Sequence, residues 1–308
     1  MEFQNQVVEI DGPVATITLN RPEALNSLSG GLMDDYAAAL AALNKGDAVR
    51  VIRLRGAGRA FCTGYDISAA GGKQRGSDAR ANGDAGAFPV TAPVPGEPHI
   101  AHFGEGRAIL EREFLRERIE YWLRLWNYRK PVIAQVHGYC LSGGLDLLAT
   151  TDITFAAAGT RFGHPASRGV GIPLLLGMLP LKVGASRTKH LLFTGDLIEA
   201  AEAREWGLVD YVESPGDLDA ATARYCQRVA MQPMDSLSVH KHVTNRWTEI
   251  MGARLGSYEG AEFDTLYHTS PVYGEFVRRI AEGGLKSALA WRDNPYKESA
   301  DQPTAGQP

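Results

Sequence analysis

The sequence has few cysteines and no large excess of charge of either sign. Its 308 residues contain three cysteines, Cys62, Cys140 and Cys226, and this odd number of widely spaced thiols fits neither a disulfide framework nor a zinc site. We therefore expect a reducing, cytoplasmic location and no bound metal. The net charge of −4 results from 32 basic and 36 acidic residues, so the composition gives no reason to expect nucleic acid as a partner.

Long apolar runs are also missing. The longest apolar stretches, such as residues 172–181, are far shorter than the roughly 20 residues that a membrane-spanning helix needs. The first ten residues lack the basic segment and following apolar run of a secretory signal. We expect an intracellular protein with no membrane partner.

Strand and helix patterns alternate in the first half of the chain. β-Branched and apolar residues predict strands over 14–19, 51–54 and 132–136, and Ala- and Leu-rich residues predict a helix over 32–43. A second helix is predicted over 106–127, with Leu115, Ile119, Trp122 and Trp126 on one face. This alternation indicates an α/β fold with buried parallel strands.

The remaining segments differ in composition. Residues 71–100 hold six glycines and four prolines, which predicts a mobile insertion over about 71–104 that is either a lid or a tolerated loop. Helical periodicity dominates the later part, with helices expected over 189–194, 200–206, 218–231, 236–251 and 261–266. We divide the chain into a core over 1–212, a helical region over 213–296 and a disordered tail over 297–308.

Two glycine-containing loops follow predicted strands directly. The first is FCTGYDI at residues 61–67, and the second is HGYCLSGGLDL at residues 137–147. The paired glycines of the second loop open a predicted helix, whose first N–H groups and dipole suit a negatively charged oxygen. No Lys-Ser or Lys-Thr follows the glycines, so the loop is not a phosphate-binding P-loop, and neither loop has the glycine spacing of a dinucleotide fold.

The order of these motifs resembles the crotonase (enoyl-CoA hydratase/isomerase) superfamily. The likeness covers residues 6–212 and is carried by LNRPEALN at 19–26, FCTGYDI at 61–67, KPVIAQVHG at 130–138, SGGLD at 142–146, TDI at 151–153, FGHP at 162–165, LFTG at 192–195, AEA at 201–203 and WGLVD at 206–210. The resemblance implies a spiral core of β-β-α units, a helical C-terminal trimerisation region, and a homotrimer or dimer of trimers. It also implies an acyl-CoA thioester as substrate, with no cofactor beyond the coenzyme A that the substrate carries.

The resemblance also implies which residues bind the substrate. By position, the backbone N–H groups of Tyr65 and Gly143 are the oxyanion-hole donors that hold the thioester oxygen as it becomes an enolate. The residues implied to contact the CoA ester are Ala24, Asp66, Ile67, Tyr139 and Gly144. For Asp66, an ordinary role in a turn or helix cap is an equal alternative.

The acid/base residues depart from the family pattern. Hydratases of the family carry two glutamates, whereas this sequence has Asp146 at the first position and Ala166 at the second. The Asp146 carboxylate is one methylene shorter, and an alanine transfers no proton. His164 and His137 are further candidates for catalysis, and a structural, hydrogen-bonded role is the alternative for each. Glu113, Glu117 and Glu120 are candidates on the helix after the insertion, with a solvated helix face as the alternative.

Several functions remain open at this point. Hydration of an enoyl-CoA with Asp146 as principal acid/base is our first interpretation. Isomerisation of a double bond needs only one proton-carrying group, and hydrolysis of an acyl-CoA would use the same oxyanion pocket. The alternative from another class is a catalytically degenerate subunit that binds acyl-CoA or serves assembly alone.

Overall fold

The computed structural model describes residues 2–67 and 107–300, so the predicted insertion over 71–104 lies outside the described residues. Within the described part, ten α-helices are present. They are α1 Gly30–Leu43, α2 Arg107–Trp126, α3 Gly143–Ala149, α4 Leu179–Val183, α5 Ala185–Thr194, α6 Ala200–Trp206, α7 Leu218–Val229, α8 Met234–Ile250, α9 Ala253–Tyr267 and α10 Pro271–Ala300. Short 3₁₀ turns cover Pro22–Ala24, Pro165–Ser167 and Leu176–Met178.

Nine strands of the described part form two sheets. They are β1 Gln6–Asp11, β2 Val14–Leu19, β3 Val51–Gly56, β4 Val132–Val136, β5 Tyr139–Leu141, β6 Ile153–Ala157, β7 Arg161–Gly163, β8 Leu197–Glu199 and β9 Tyr211–Glu213. The larger sheet has the order β1-β2-β3-β4-β6-β9, in which β1 pairs antiparallel with β2 and the other pairs are parallel. The smaller sheet has the order β5-β7-β8. The predicted α/β class with parallel central strands is confirmed.

The central strands are buried and rich in apolar residues, and the buried Arg53 of β3 donates a hydrogen bond to the buried Gln135 of β4. All five residues of β4 are buried, and β3 is buried at five of its six positions. Parallel strands of this kind carry continuous Val, Ile and Leu rather than an alternating pattern. That composition made β2 and β4 predictable to the residue, since turn residues bound each short apolar run.

Helix α9 is longer than the sequence suggested. It begins at Ala253 rather than near residue 261, and its inner face in the first two turns is built from small residues. A Cβ added to Gly256 would lie 3.0 Å from the Gly177 Cα, so α9 packs closely against the 3₁₀ turn at 176–178. Small residues give little apolar periodicity, which is why the pattern did not indicate these turns.

Helix α10 extends past the predicted boundary of the tail. Pro271 is the first residue of this helix, a position that tolerates its missing N–H. Gly284 interrupts the helical geometry with φ 75° and ψ 169°, and the helix then continues to Ala300. It therefore overlaps the first four residues of the predicted disordered tail, whose remainder lies outside the described residues.

One face of the C-terminal helices is apolar and exposed in the single chain. Along α8, the exposed apolar side chains follow one another at spacings of three or four residues. They are Val239, Val243, Trp247 and Ile250, and Trp247 is 63% exposed. Met251, directly after the helix, is also exposed and lies four residues after Trp247. Residues at this spacing lie on one side of a helix.

Among the helices of the described part, none is long and apolar enough to cross a bilayer.

The two glycine loops are packed closely against each other. A Cβ on Gly144 would lie 2.5 Å from the Cys62 carbonyl oxygen, and a Cβ on Gly143 would lie 2.6 Å from the Tyr65 ring. Distances below about 3.0 Å require the backbone or the ring to move. Glycine at these two positions therefore sets the spacing between the loops.

We expect Gly144→Ala to destabilise the fold by about 1–3 kcal/mol, because the added methyl group overpacks against a backbone carbonyl. Gly216→Ala is the matched control, since its added Cβ would contact only the Ser214 Oγ at 3.9 Å. Denaturant unfolding of both variants measures the difference. An equal stability of the two variants would contradict the close packing of the loops.

Candidate active site

The first loop is fixed by a buried asparagine. Asn26 has a left-handed backbone (φ 54°), and its side-chain amide donates to the carbonyls of Ala57 (2.9 Å) and Ala60 (2.8 Å). Its Oδ1 accepts from the Arg21 N–H at 2.9 Å. These bonds join residues 21–26 to the end of β3, so both chain segments are held beside the first loop.

Backbone hydrogen bonds join the first loop to the second. The Cys62 N–H donates to the Tyr139 carbonyl (3.1 Å), and the Leu141 N–H donates to the Cys62 carbonyl (3.0 Å). On the other side, the Leu28 N–H donates to the Gly64 carbonyl and the Asp66 N–H donates to the Leu28 carbonyl. This strand-like pairing directs the Tyr65 N–H away from Leu28.

The predicted oxyanion donors lie where the two loops meet. Gly143 is the first residue of α3, and N–H groups of a first helical turn have no acceptor within their own helix. Ser142, directly before it, has φ 50° and ψ −120°, a conformation that non-glycine residues rarely adopt. The structure brings Tyr65 and Gly143 together, because the Tyr65 ring packs on the Gly143 Cα.

Asp146 lies in the first turn of α3 and is buried, with 2% of its surface exposed. Its Oδ1 accepts from the Leu175 N–H (2.9 Å), and its Oδ2 accepts from the Tyr65 hydroxyl (3.1 Å). Burial raises the pKa of this carboxyl to about 7, against the lowering effect of the hydrogen bonds from Leu175, Tyr65 and Leu174. Asp146 is therefore divided between its acid and base forms near neutral pH, which suits proton transfer.

The sequence did not indicate the Tyr65 hydroxyl as part of the site. The Trp122 indole N–H donates to the Tyr65 oxygen (2.8 Å), and the Tyr65 O–H donates to Asp146. Trp122 was expected only on the apolar face of α2, and it does lie there, 1% exposed. Apolar periodicity predicts which face of a helix is buried but not what an indole N–H on that face binds.

The two candidate histidines occupy different surroundings. His164 is 3% exposed, and its Nδ1 has no hydrogen-bond partner among the described residues. Burial lowers its pKa to about 3, so the imidazole is neutral. The His137 Nε2 lies 2.8 Å from the Gly58 carbonyl oxygen, at the end of β4. No contact in the described part joins either histidine to Asp146, so their catalytic roles stay predictions.

Residues expected to contact the CoA ester lie on both loops. Asp66 forms an ion pair with Arg21 (2.8 Å), and Ile67 packs with apolar residues of α10. Ala24 ends the 3₁₀ turn Pro22–Ala24, which Asn26 anchors. Tyr139 begins β5 and is exposed, whereas Gly144 is buried in α3. The Asp66 ion pair fits the alternative role of an ordinary turn residue.

The candidate glutamates of α2 lie along a surface cavity of about 560 Å³. Glu120 accepts hydrogen bonds from Arg254 (2.6 Å) and from the Tyr258 hydroxyl, and Glu113 pairs with Arg112 (2.8 Å). These contacts are those of a solvated helix face that packs on α9. No contact in the described part joins them to Asp146.

A second buried carboxyl lies beside the Ala166 segment, and the sequence did not indicate it. Asp264 on α9 is 2% exposed, and its Oδ1 accepts from the Ile172 N–H at 2.9 Å. His268, one turn later, places Nδ1 at 2.6 Å from the Glu111 Oε1. A pair at spacing four on a helix is more often solvated than buried, so spacing alone gives no signal for this group.

Within the described chain, no cluster of His, Cys, Asp and Glu is suited to a metal ion.

Comparison with known proteins places the chain among CoA-ester enzymes. The family model described as enoyl-CoA hydratase/isomerase matches residues 9–86 and 100–271. A probable enoyl-CoA hydratase of Rhizobium meliloti is 31% identical over 271 residues, which cover 87% of this chain and 92% of the relative. The short-chain-enoyl-CoA hydratase of Clostridium acetobutylicum is 29% identical over 275 residues, with coverage of 87% and 92%.

Solved structures agree with the sequence relatives. The crystal structure of an enoyl-CoA hydratase from Mycobacterium smegmatis aligns with a TM-score of 0.81 at 29% identity and covers 96% of this chain and 94% of that one. An enoyl-CoA hydratase/isomerase from Xanthobacter autotrophicus Py2 aligns with a TM-score of 0.78 at 29% identity, with coverage of 96% and 99%. The crotonase-like fold implied by the motifs is confirmed.

We expect Tyr65→Phe to raise the pKa of Asp146 further, because the tyrosine hydroxyl stabilises the ionised carboxylate. The titration of Asp146 is measured by carboxyl-carbon NMR with labelled aspartate, using Asp146→Asn to assign the signal. Trp122→Phe should have a smaller effect in the same direction, since the indole only polarises the tyrosine hydroxyl.

Tyr128→Phe is the matched control, because the Tyr128 hydroxyl is buried without a hydrogen-bond partner among the described residues. This variant should leave the Asp146 titration unchanged. An unchanged titration in Tyr65→Phe would show that the Tyr65 hydroxyl does not stabilise the carboxylate.

Proposed function

Because the chain belongs to the enoyl-CoA hydratase/isomerase family, we propose that it adds water across the α,β double bond of an enoyl-CoA thioester. The observation that carries this proposal is a buried carboxyl with a pKa of about 7, directly after a glycine loop at a helix start. In this proposal the Tyr65 and Gly143 backbone N–H groups hold the thioester oxygen as negative charge develops on it. Asp146, in its acid form, delivers a proton to the α-carbon.

The surroundings of Asp146 support the role of an acid. The contacts of its two oxygens in the described chain are with donors, the Leu175 N–H and the Tyr65 O–H. A proton on the carboxyl therefore has no acceptor among these contacts. The carbanionic α-carbon of the substrate would accept that proton. The Tyr65 and Leu175 contacts also fix the carboxyl plane, which helps to orient a side chain one methylene shorter than glutamate.

Double-bond isomerisation is the second candidate, and the alanine at position 166 favours it. One carboxyl can remove a proton from one carbon of an enolate system and return it to another, so the expected second carboxylate is not needed. The two reactions differ in their products, since hydration increases the mass by one water and isomerisation leaves it unchanged.

Binding of the CoA portion forms part of the proposal. Ala24, Asp66, Ile67, Tyr139 and Gly144 belong to the same two loops and the adjoining 3₁₀ turn, and this grouping supports a shared contact surface for the ester. CoA then enters only as a part of the substrate. A cytoplasmic location also remains our proposal, supported by three free, buried cysteines.

We expect Asp146→Asn to lower the rate of crotonyl-CoA hydration by about 10²–10⁴-fold, because the amide does not donate its proton to carbon. In the unmodified protein, hydration needs protonated Asp146, so its rate should fall as pH rises through about 7. Deuterium exchange at the α-carbon of butyryl-CoA needs ionised Asp146 and should rise over the same pH range. Mass spectrometry measures both reactions.

Asp47→Asn is the control for the loss of an aspartate, since Asp47 pairs with Arg129 at the surface. Hydration by this variant should stay within about threefold of the unmodified protein. Hydration that persists in Asp146→Asn would exclude Asp146 as the acid, and absence of both reactions in the unmodified protein would favour a binding or assembly subunit.

We also propose that the exposed apolar face of α8 packs against other copies of the chain in a homotrimer or dimer of trimers. The length of this face supports the proposal, because Val239, Val243 and Trp247 form a continuous apolar row that solvent would otherwise contact. Burial of such a row in an oligomer is favourable.

Val243→Glu combined with Trp247→Glu should convert the oligomer into monomers, because charges placed in an apolar interface lose their hydration without gaining a partner. Light scattering after size-exclusion chromatography measures the mass. Ile10→Glu, at an exposed apolar residue of β1, is the control and should leave the mass unchanged. An unaltered mass in the double variant would place the interface elsewhere.

A further inference from the structure

Side chains of α9 pack against the turn formed by residues 166–171. The Ala166 carbonyl accepts from the N–H groups of Val170 (2.8 Å) and Gly171 (3.0 Å), which turns the chain directly after the 3₁₀ turn. A Cβ on Gly171 would lie 2.9 Å from the Asp264 Oδ1 and 3.4 Å from the His268 Nε2. The space beside this turn is therefore occupied by a carboxylate and an imidazole.

Asp264 and Asp146 are bound to the same short backbone segment. The Ile172 N–H donates to Asp264 and the Leu175 N–H donates to Asp146, each at 2.9 Å. The charge of Asp264 also contributes to the raised pKa of Asp146, as expected for two carboxyls near each other in a buried region. The four residues 172–175 thus hold two buried carboxyls that come from different helices.

The second oxygen of Asp264 is available to another group. Oδ1 receives the Ile172 N–H and lies 3.7 Å from the His268 Nε2, whereas Oδ2 accepts no hydrogen bond from the described residues. A carboxylate with one oxygen fixed and the other open can accept a proton from a water molecule.

His268 and Glu111 keep a positive charge next to Asp264. The His268 Nε2 faces the Val170 carbonyl (3.1 Å), which only accepts, and its Nδ1 faces the Glu111 carboxylate (2.6 Å). Burial disfavours the charged imidazole, but the Glu111 hydrogen bond and the charge of Asp264 outweigh it and raise the His268 pKa. The ring also stacks on Tyr273 with centroids 4.2 Å apart, so its orientation is fixed.

We propose that Asp264 is the second acid/base group of this site and that His268 and Glu111 are its positioning residues. The inference rests on the proposed hydration. Asp264 accepts a proton from water as the water oxygen forms a bond to the β-carbon. The π electrons of the double bond move to the thioester oxygen, and the resulting enolate takes the Asp146 proton at its α-carbon. The proton on Asp264 then returns to Asp146 through solvent, which restores both groups.

The ionisation of the two carboxyls fits these roles. Burial raises the pKa of Asp264 to about 6, below the value of about 7 for Asp146, and the cationic His268 limits the rise. Between these values one carboxyl can be ionised while the other is protonated, as base and acid require. Several titratable groups face the pair. They are Glu111 from α2, His268 and Tyr267 from α9, Tyr273 from α10, Tyr65 and Cys62 from the first loop, and Cys140 from the second loop.

The test compares two reactions of one variant. Asp264→Asn keeps an acceptor for the Ile172 N–H but no longer accepts a proton from water. Hydration of crotonyl-CoA should fall by about 100-fold or more. Deuterium exchange at the α-carbon of butyryl-CoA uses Asp146 alone and should stay within about threefold. Glu262→Gln is the matched control, because Glu262 lies on the same helix and pairs with Arg112 and Arg116 of α2. It should retain both reactions.

Hydration within about threefold in Asp264→Asn, or equal losses of hydration and exchange, would overturn the assignment of Asp264 as a separate group. If the unmodified protein exchanges α-protons and the hydration loss is selective, the assignment stands. If it catalyses neither reaction, the proposed function itself fails.

His268→Gln tests the positioning role through the pH profile. Without the imidazolium, the Asp264 pKa should rise, so the acidic limb of hydration should move to higher pH while the alkaline limb set by Asp146 changes less. An acidic limb that does not move would overturn the role of His268, whatever its effect on stability.

Discussion

The close approach of two glycine loops is the constraint on which the site depends. Gly143 and Gly144 allow the second loop to lie against Cys62 and Tyr65 at distances that a Cβ would prevent. This contact sets the separation of the Tyr65 and Gly143 peptides, and it starts α3 so that Asp146 falls in the first helical turn. The same contact brings the Tyr65 hydroxyl to Asp146. One backbone arrangement therefore fixes both the predicted oxyanion donors and the proposed acid, before any substrate is present.

Burial of Asp146 makes the stability of the protein depend on pH. A carboxyl whose folded pKa is about 7, against an ordinary 3.8, binds a proton in the folded chain at pH values where the unfolded chain has released it. Its contribution to the free energy of unfolding therefore decreases as pH rises from about 4 to about 7, by at most about 4 kcal/mol. The protein keeps a carboxyl whose ionised form is destabilised by burial, and the proposed role of an acid near neutral pH requires such a carboxyl.

Much of the core could be predicted from the sequence because its signals are local. The runs over 14–19 and 132–136 are apolar, short and bounded by turn residues, and they became β2 and β4 at those bounds. The glycine loops were visible for the same reason. Ala166 was assigned to the second carboxylate position of the family by counting directly from the FGHP motif, and this assignment stays a prediction.

Contacts between distant segments could not be predicted in this way. Trp122 and Tyr65 are 57 residues apart in the chain, and the sequence carries no sign that the indole N–H reaches the hydroxyl. His268 and Glu111 are 157 residues apart in the chain. The buried face of α9 in its first half consists of small residues, so it lacks the large apolar side chains by which a buried helix face is predicted. Packing of α9 against 176–178 decides that Asp264 is buried, and this packing is a property of the tertiary fold alone.

In the proposed site, a carboxyl from another helix would take the role that Ala166 does not fill. What a hydration site requires is a carboxyl at a point in space, and more than one chain segment can reach that point. Gly171, five residues after Ala166, lets Asp264 and His268 approach the backbone there. The Ile172 N–H then orients the carboxylate, much as the Leu175 N–H orients Asp146. A group carried by α9 also makes the site depend on how the C-terminal helices pack, so the core and the helical region act as one unit.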